Sequence, residues 1–344
     1  MRIGFIIEAE VSRLEWGRQN GFGSVAWNLF ETSGAGPHQP KWQPFAESFA
    51  EAARSRNLRI SAIDAHYKNP LDPEQSEYAR SVFLRAIEVA AHIGIKTVCG
   101  FPGAVIELTR HPKGNNTIYR PFENFVPQLL EFWEPIARVA ADKGVRLGFE
   151  HCSMGPYHMP IMGYNMLGQT AIWERVFNET KCANIGLEWD ASHLVCQFID
   201  PVANIHKFGA RIFHLHAKDA FINRQLLEVY GPCHPGVAEH RFPGFGQSNW
   251  AEIIHALLRA GYDSDLTIEG WHDPVLRDHP PDAKGNPLSG QKLEAEGLLL
   301  AKKYLEAFVP QVAESFSPLP VPQNAHLHPL ALCDLISPTN SSPT

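Results

Sequence analysis

Four stretches of the chain alternate apolar and polar residues with the two-residue period of a β-strand. Each sets an acid or a histidine on its polar side, at or near its C-terminal end. Ile212–Ala220 (IFHLHAKDA) places Phe213, Leu215 and Ala217 on one side and His214, His216 and Lys218 on the other. Val145–His151 opposes Val145, Leu147 and Phe149 to Arg146, Gly148 and Glu150. Asn184–Asp190 opposes Ile185, Leu187 and Trp189 to Gly186, Glu188 and Asp190. Asp265–Trp271 opposes Leu266, Ile268 and Gly270 to Asp265, Thr267, Glu269 and Trp271.

Further strands are predicted over 2–8, 25–30, 58–66 and 95–101. Helical periodicity fills the intervals. Residues 45–56 carry Phe45, Phe49, Ala52 and Ala53 on one face. Asp72, Pro73 and Gln75 predict the start of a long helix. Tyr78, Val82, Ile87, Val89 and Ala90 form its buried face, and Gly94 stops it. Helices are also predicted over 127–143, with Pro135 as a kink, and over 169–178. Asp200 and Pro201 start another, Ser248 or Asn249 caps one over 250–260, and the last covers 293–308. The stretches 109–120, 151–168 and 221–247 read as loops, and the third is too long for a simple connection.

Strand and helix thus alternate about eight times over residues 1–310. Such alternation implies parallel strands with helical crossovers. The predicted fold class is α/β, as a (β/α)₈ TIM barrel. A doubly wound open sheet is the competitor, but no G-x-G-x-x-G follows the first strand. Polar residues on the inner faces also suit a barrel better than a sheet buried on both sides. Residues 311–344 form a tail rich in Pro and Ser, expected to be a loosely draped arm or an arm docking on a partner subunit.

Composition narrows the class. Hydrophobic residues make up 44% of the 344 and charged residues 19%, enough for a large core in a globular protein. The net charge of −7 argues against nucleic acid, which needs a basic surface. The 6 cysteines contain no C-x-x-C pair. The N-terminus runs directly into an apolar strand, and no apolar run reaches membrane-spanning length. A reduced, cytoplasmic setting without a membrane partner is expected.

Barrel enzymes carry their chemistry at the C-terminal ends of the strands. Glu150, Asp190, His216 and Glu269 all fall there, and are predicted to converge on one divalent metal. Three carboxylates and one imidazole favour Mn²⁺, with Mg²⁺, Co²⁺, Zn²⁺ and Fe²⁺ as alternatives. Such a site polarises a carbonyl while a carboxylate removes the neighbouring proton. His193, three residues after Asp190, is expected to contact substrate. Lys218 reads either as a site residue or as a surface ion pair with Asp219, and His214 as a deeper residue bonded to Glu188 or another inner polar residue. Trp16, Trp271, Tyr157, Met154, Met159 and Met162 read as an apolar subsite or as ordinary loop packing.

At these residues the sequence resembles the xylose-isomerase-like barrel superfamily, in particular the sugar phosphate isomerases/epimerases. The resemblance rests on WDASH (Trp189–His193), HLHAKD (His214–Asp219), RFPGFG (Arg241–Gly246) followed by Trp250, and TIEG (Thr267–Gly270). It covers residues 1–310 and is strongest over 184–273. It implies that Glu150, Asp190, His216 and Glu269 hold a metal, often manganese, and that Glu150 and Glu269 exchange a proton with opposite faces of a sugar. His193 and Arg241 match positions that contact substrate oxygens. His151 and His272 depart from the pattern and add candidate acid/base or substrate-contacting groups. With the lengthened loop before Glu269, they bring the chain near relatives that eliminate the C1 group of 3-keto-glycosides. A sugar or glycoside substrate and a homo-oligomer, or a hetero-oligomer with a second subunit, are the implied partners. The apurinic endonucleases of the same superfamily are a remote alternative; His66 would supply an extra ligand there, or a substrate contact otherwise.

Overall fold

The computed structural model describes residues 1–29, 33–65, 68–105, 109–110, 118–119, 122–152, 164–232, 234, 236–278 and 290–310. Eight parallel strands close into a barrel: β1 (Ile3–Ile7), β2 (Ser24–Asn28), β3 (Arg59–Asp64), β4 (Thr97–Gly100), β5 (Arg146–Glu150), β6 (Ile185–Asp190), β7 (Ile212–Ala217) and β8 (Leu266–Ile268). Each pairs with its neighbours in chain order, and β8 closes on β1. The predicted α/β barrel is therefore the fold. Residues 311–344, the expected arm, lie outside the described residues, as do His66, Met154, Tyr157, Met159 and Met162.

The principal connecting helices are α1 (Val11–Gln19), α2 (Trp42–Arg54), α3 (Ser76–Ile93), α4 (Val126–Asp142), α5 (Thr170–Glu179), α6 (Pro201–Phe208), α7 (Trp250–Arg259) and α8 (Gly290–Glu306). Their ends follow local chemistry. Asp200 Oδ1 accepts from Val202 N at 2.9 Å, and Pro201 needs no partner for a missing N–H. Asn249, not Ser248, caps α7 by accepting from Glu252 N. Gly94 ends α3 with φ +80°, a left-handed conformation that costs glycine little. The Asp72 carboxylate accepts from Glu74 N at 2.9 Å, but it closes a turn, and α3 starts three residues later than that turn suggested.

Parts of the structure differ from the sequence expectation. Helix α1 was not visible because VSRLEWGRQ buries only Leu14 and Gly17 and so lacks an apolar stripe. Helix α4 runs to Asp142 with Pro135 inside it, as expected. The 221–247 stretch contains a helix, Arg224–Tyr230, and a strand, Ala238–Arg241, that pairs antiparallel with Asp219–Ile222.

The core lies between the barrel and its helices, built around Trp27, Trp133, Trp173, Trp189 and Trp250, all fully buried. Trp16 belongs to this packing: its ring lies 5.3 Å from Phe5 and 5.5 Å from Phe22, so it is not part of an apolar subsite at the mouth. Among the described residues no helix is long and apolar enough to cross a membrane.

Candidate metal centre

The barrel's tilt and register bring four polar strand ends to one point. Glu150 ends β5, Asp190 ends β6, His216 is the penultimate register position of β7, and Glu269 follows β8. Asp190 and His216 are direct register partners. One ligand-type atom from each of Glu150, Asp190, His216 and Glu269 lies within 4.8 Å of the others, and all four side chains are buried. His216 Nδ1 stands 3.4 Å from Glu150 Oε1 and 3.0 Å from Glu269 Oε2. Glu150 and Glu269 thus approach the centre from strands separated by β6 and β7.

The donor set fits a divalent cation. Asp190 Oδ2, His216 Nδ1 and Glu269 Oε2 are buried and make no hydrogen bond among the described residues. Buried polar atoms normally find a partner, and these point at one another. The other nitrogen, His216 Nε2, lies 3.1 Å from Glu188 Oε1, the arrangement by which a carboxylate orients a metal-binding imidazole. Glu188 Oε1 also lies 2.7 Å from His214 Nδ1, as predicted for a deeper histidine.

Lys218 lies against these carboxylates. Its ammonium lies 2.9 Å from Glu269 Oε1 and 4.0 Å from Asp190 Oδ2, buried at 2% exposure. Burial works against its charge, but Glu269, Asp190 and Glu150 outweigh burial and hold it protonated. Asp219 does not pair with it. Its carboxylate accepts from Ala220 N at 2.8 Å, Ser248 N at 2.9 Å and Trp250 Nε1 at 3.3 Å, tying the long excursion after β7 to α7.

The carboxylates respond to their neighbours. Burial alone would raise Glu269; Lys218 and His216 overcome it and bring it down to about 2. Glu150 is likewise lowered, with burial outweighed by His193 and His216. Both glutamates are therefore held as carboxylates.

The histidines divide by environment. His193 Nε2 lies 3.2 Å from Asp190 Oδ2 and 3.4 Å from Glu150 Oε1, on the short helix Ala191–Val195 capped by Asp190. His151 is fully buried. Its Nε2 accepts from Asp190 N at 2.9 Å, its ring packs 4.8 Å from Trp173, and burial first, then the nearby His193, pulls it down to about 3. It is a neutral ring holding the end of β6. His272 is largely exposed at φ +69°, with its ring 6.0 Å from that of His240. Arg241 Nε donates to Asp273 Oδ2 at 3.3 Å, and the same oxygen accepts from Phe242 N at 2.9 Å. The sequence reading missed His240, whose ring stands 4.9 Å from His193 and whose Nδ1 lies 3.0 Å from Ser192 Oγ. Its place beside RFPGFG was the available signal.

A cavity of about 1000 Å³ opens at the strand ends beside this centre. Glu8, Glu10, Arg13, Asn28, Glu269 and Trp271 line it among others. Its walls are mixed polar and apolar, so polyhydroxylated ligands find hydrogen-bonding partners and an aromatic face.

Comparison with known proteins agrees with this architecture. A family profile described as xylose isomerase-like TIM barrel matches residues 14–293. The uncharacterized protein YfiH of Bacillus subtilis is 24% identical over 236 residues, covering 65% of this chain and 74% of its own length. Inosose dehydratase of Lacticaseibacillus casei is 32% identical over 152 residues; the match spans 42% of this chain and 45% of the dehydratase. Among solved structures, a D-psicose 3-epimerase with D-fructose superimposes with TM-score 0.61 at 15% identity, covering 90% of this chain and 99% of the other. The IOLI protein with a bound zinc atom gives TM-score 0.62 at 14% identity, covering 90% and 99% respectively.

Proposed function

The chain belongs to the xylose isomerase-like TIM barrel family, and from that premise we propose that it is a divalent-metal-dependent isomerase or epimerase of a sugar or ketosugar. The observation that carries the proposal is the meeting of Glu150, Asp190, His216 and Glu269 at one buried point, with their oxygens and a ring nitrogen facing one another. These four side chains would hold the ion, with Mn²⁺ favoured by the oxygen-rich set. When bound, the ion supplies Lewis-acid polarisation of the substrate carbonyl and its neighbouring hydroxyl.

The remaining work falls to the protein's own groups. Glu150 and Glu269 are ionised carboxylates on opposite sides of the centre; one takes the proton beside the carbonyl and the other, once protonated, returns one. Lys218, charged and 2.9 Å from Glu269 Oε1, balances the carboxylates and donates to the oxygen that gains charge in the enediolate. His193 binds a substrate oxygen from the Asp190 side, while Arg241 and His272 belong to the rim. His151 positions Asp190 through its backbone N–H instead of exchanging protons with substrate.

A second reading, elimination, is favoured by the match to inosose dehydratase over 152 residues. The first step is the same; the β-hydroxyl then leaves with a proton from the acid, and no proton returns to carbon. Incubating the Mn²⁺-loaded protein with a panel of ketohexoses, inososes and 3-keto-glucosides separates the two. Interconverted sugars support epimerisation, and released water or aglycone with an unsaturated ketone supports elimination. Turnover of neither kind with any of them, from metal-loaded protein, would refute both.

A further inference from the structure

One layer below the mouth, the barrel interior holds a second set of metal-type donors. Glu188 and His214 each lie two residues before a mouth ligand on the same strand, Asp190 and His216, while Asp64 ends β3 and Cys99 is the penultimate residue of β4. Because side chains alternate with period two, these point inward like the mouth residues but deeper. The register brings them together, Asp64 beside Cys99 on β3 and β4, and Glu188 beside His214 on β6 and β7. One donor atom from each lies within 4.8 Å of the others, and none of the four exceeds 1% exposure.

We propose that Asp64, Cys99, Glu188 and His214 form a second, buried site for a divalent ion of the zinc type. Two observations point to a ligand beyond the mere clustering of these residues. Both carboxylate oxygens of Asp64 are buried without a hydrogen bond among the described residues. The Asp64 carboxyl faces Glu188, a second acid, and two acids brought together away from water gain from a cation between them. Gly148 on β5 also leaves the space open: a Cβ there would stand 3.2 Å from Cys99 Sγ and 3.3 Å from Glu188 N.

The donor chemistry selects the ion. One sulfur, one nitrogen and two oxygens suit Zn²⁺, Co²⁺ or Fe²⁺ and disfavour Mg²⁺ and Mn²⁺, in contrast to the mouth. Four donors about 2.0–2.3 Å from a tetrahedral ion require only small side-chain rotations from the present spacing. His214 is already oriented for the task. Its Nε2 lies 3.0 Å from Thr267 Oγ1 and 3.1 Å from Ser61 Oγ, hydroxyls able to accept the proton that Nε2 carries when Nδ1 binds an ion.

The test is Co²⁺ loading of the metal-stripped full chain, followed by elemental analysis and absorption spectroscopy. The expected result is two ions per chain and a sulfur-to-cobalt charge-transfer band. Cys99→Ser, which keeps nearly the native volume, loses the band and one ion. Asp64→Asn loses one ion. Asp190→Asn, at the mouth, loses one ion and keeps the band. Cys152→Ala, beside His193, also keeps the band. A wild-type protein without the band, or a Cys99→Ser protein that keeps both the band and the ion count, overturns the proposal.

Discussion

His151 offers a sharp test of how burial governs this barrel. Its ring is fully buried between Trp173 and His193, accepts a hydrogen bond from Asp190 N, and titrates at about 3 instead of 6.5. The sign follows from linkage. A group whose folded pKa is depressed contributes stability that is present above its unfolded value and lost as pH falls towards the folded one. The window therefore runs from pH 6.5 down to about 3. At 1.36 kcal/mol for each tenfold change in proton affinity, the full effect is about 5 kcal/mol. Glu150 and Glu269 are held below the usual carboxylate range whereas Asp190 is raised, so the effect is read as a difference from a variant that differs only at His151. The perturbation is His151→Gln, whose amide oxygen still accepts from Asp190 N but takes up no proton. The assay is urea unfolding followed by circular dichroism at half-unit pH steps, with chelator present so that metal release adds nothing. Between pH 6.5 and 5 the wild type should lose about 1.6 kcal/mol more than His151→Gln, the slope approaching about 1.4 kcal/mol per pH unit at the acid end. Parallel pH dependences would refute the assignment of His151 as a neutral buried ring.

Three further outcomes are expected. Gly186→Ala should destabilise by about 1–3 kcal/mol in denaturant unfolding, since its Cβ would lie 2.3 Å from Arg211 O in the turn that leads into β7; an unchanged midpoint would contradict that close approach. Asp219→Ala leaves the N–H groups of Ala220, Ser248 and Trp250 without their carboxylate, and should cost about 2–4 kcal/mol. Equal unfolding free energies would count against that anchor. Chelation should lower the melting temperature, because an ion at 100 times its Kd adds about 2.7 kcal/mol; a thermal scan insensitive to chelator and to added Mn²⁺ would argue against the centre.

Most of the fold was legible because the strand period and the helix period alternate without long interruption. The mouth was legible for a related reason. Glu150, Asp190, His216 and Glu269 each stand at the end of a strand whose inner face could be read directly. What escaped notice depends on contacts between distant parts of the chain. Asp64 and Cys99 lie in apolar strands and become conspicuous only when β3 and β4 are set beside β6 and β7. Lys218 could equally have paired with Asp219, until the barrel brought Glu269 within 2.9 Å. His151 read as an extra acid or base because its sequence neighbour is Glu150, whereas its ring is committed to the backbone of Asp190. Helix α1 lacks an apolar stripe and is held by tertiary packing against Phe5 and Phe22.

The central proposal is metal-assisted proton exchange beside a sugar carbonyl by Glu150 and Glu269. Its most direct test is deuterium incorporation at the carbon next to the carbonyl, followed by NMR in D₂O with the substrate found in the panel. Mn²⁺-loaded wild type should exchange that position or carry solvent deuterium into product, and metal-stripped protein should not. Glu150→Gln and Glu269→Gln should each lower the rate by about 10²–10⁴-fold while retaining the fold by circular dichroism. Undiminished turnover in both variants, or turnover by wild type without any deuterium entering substrate or product, would contradict it.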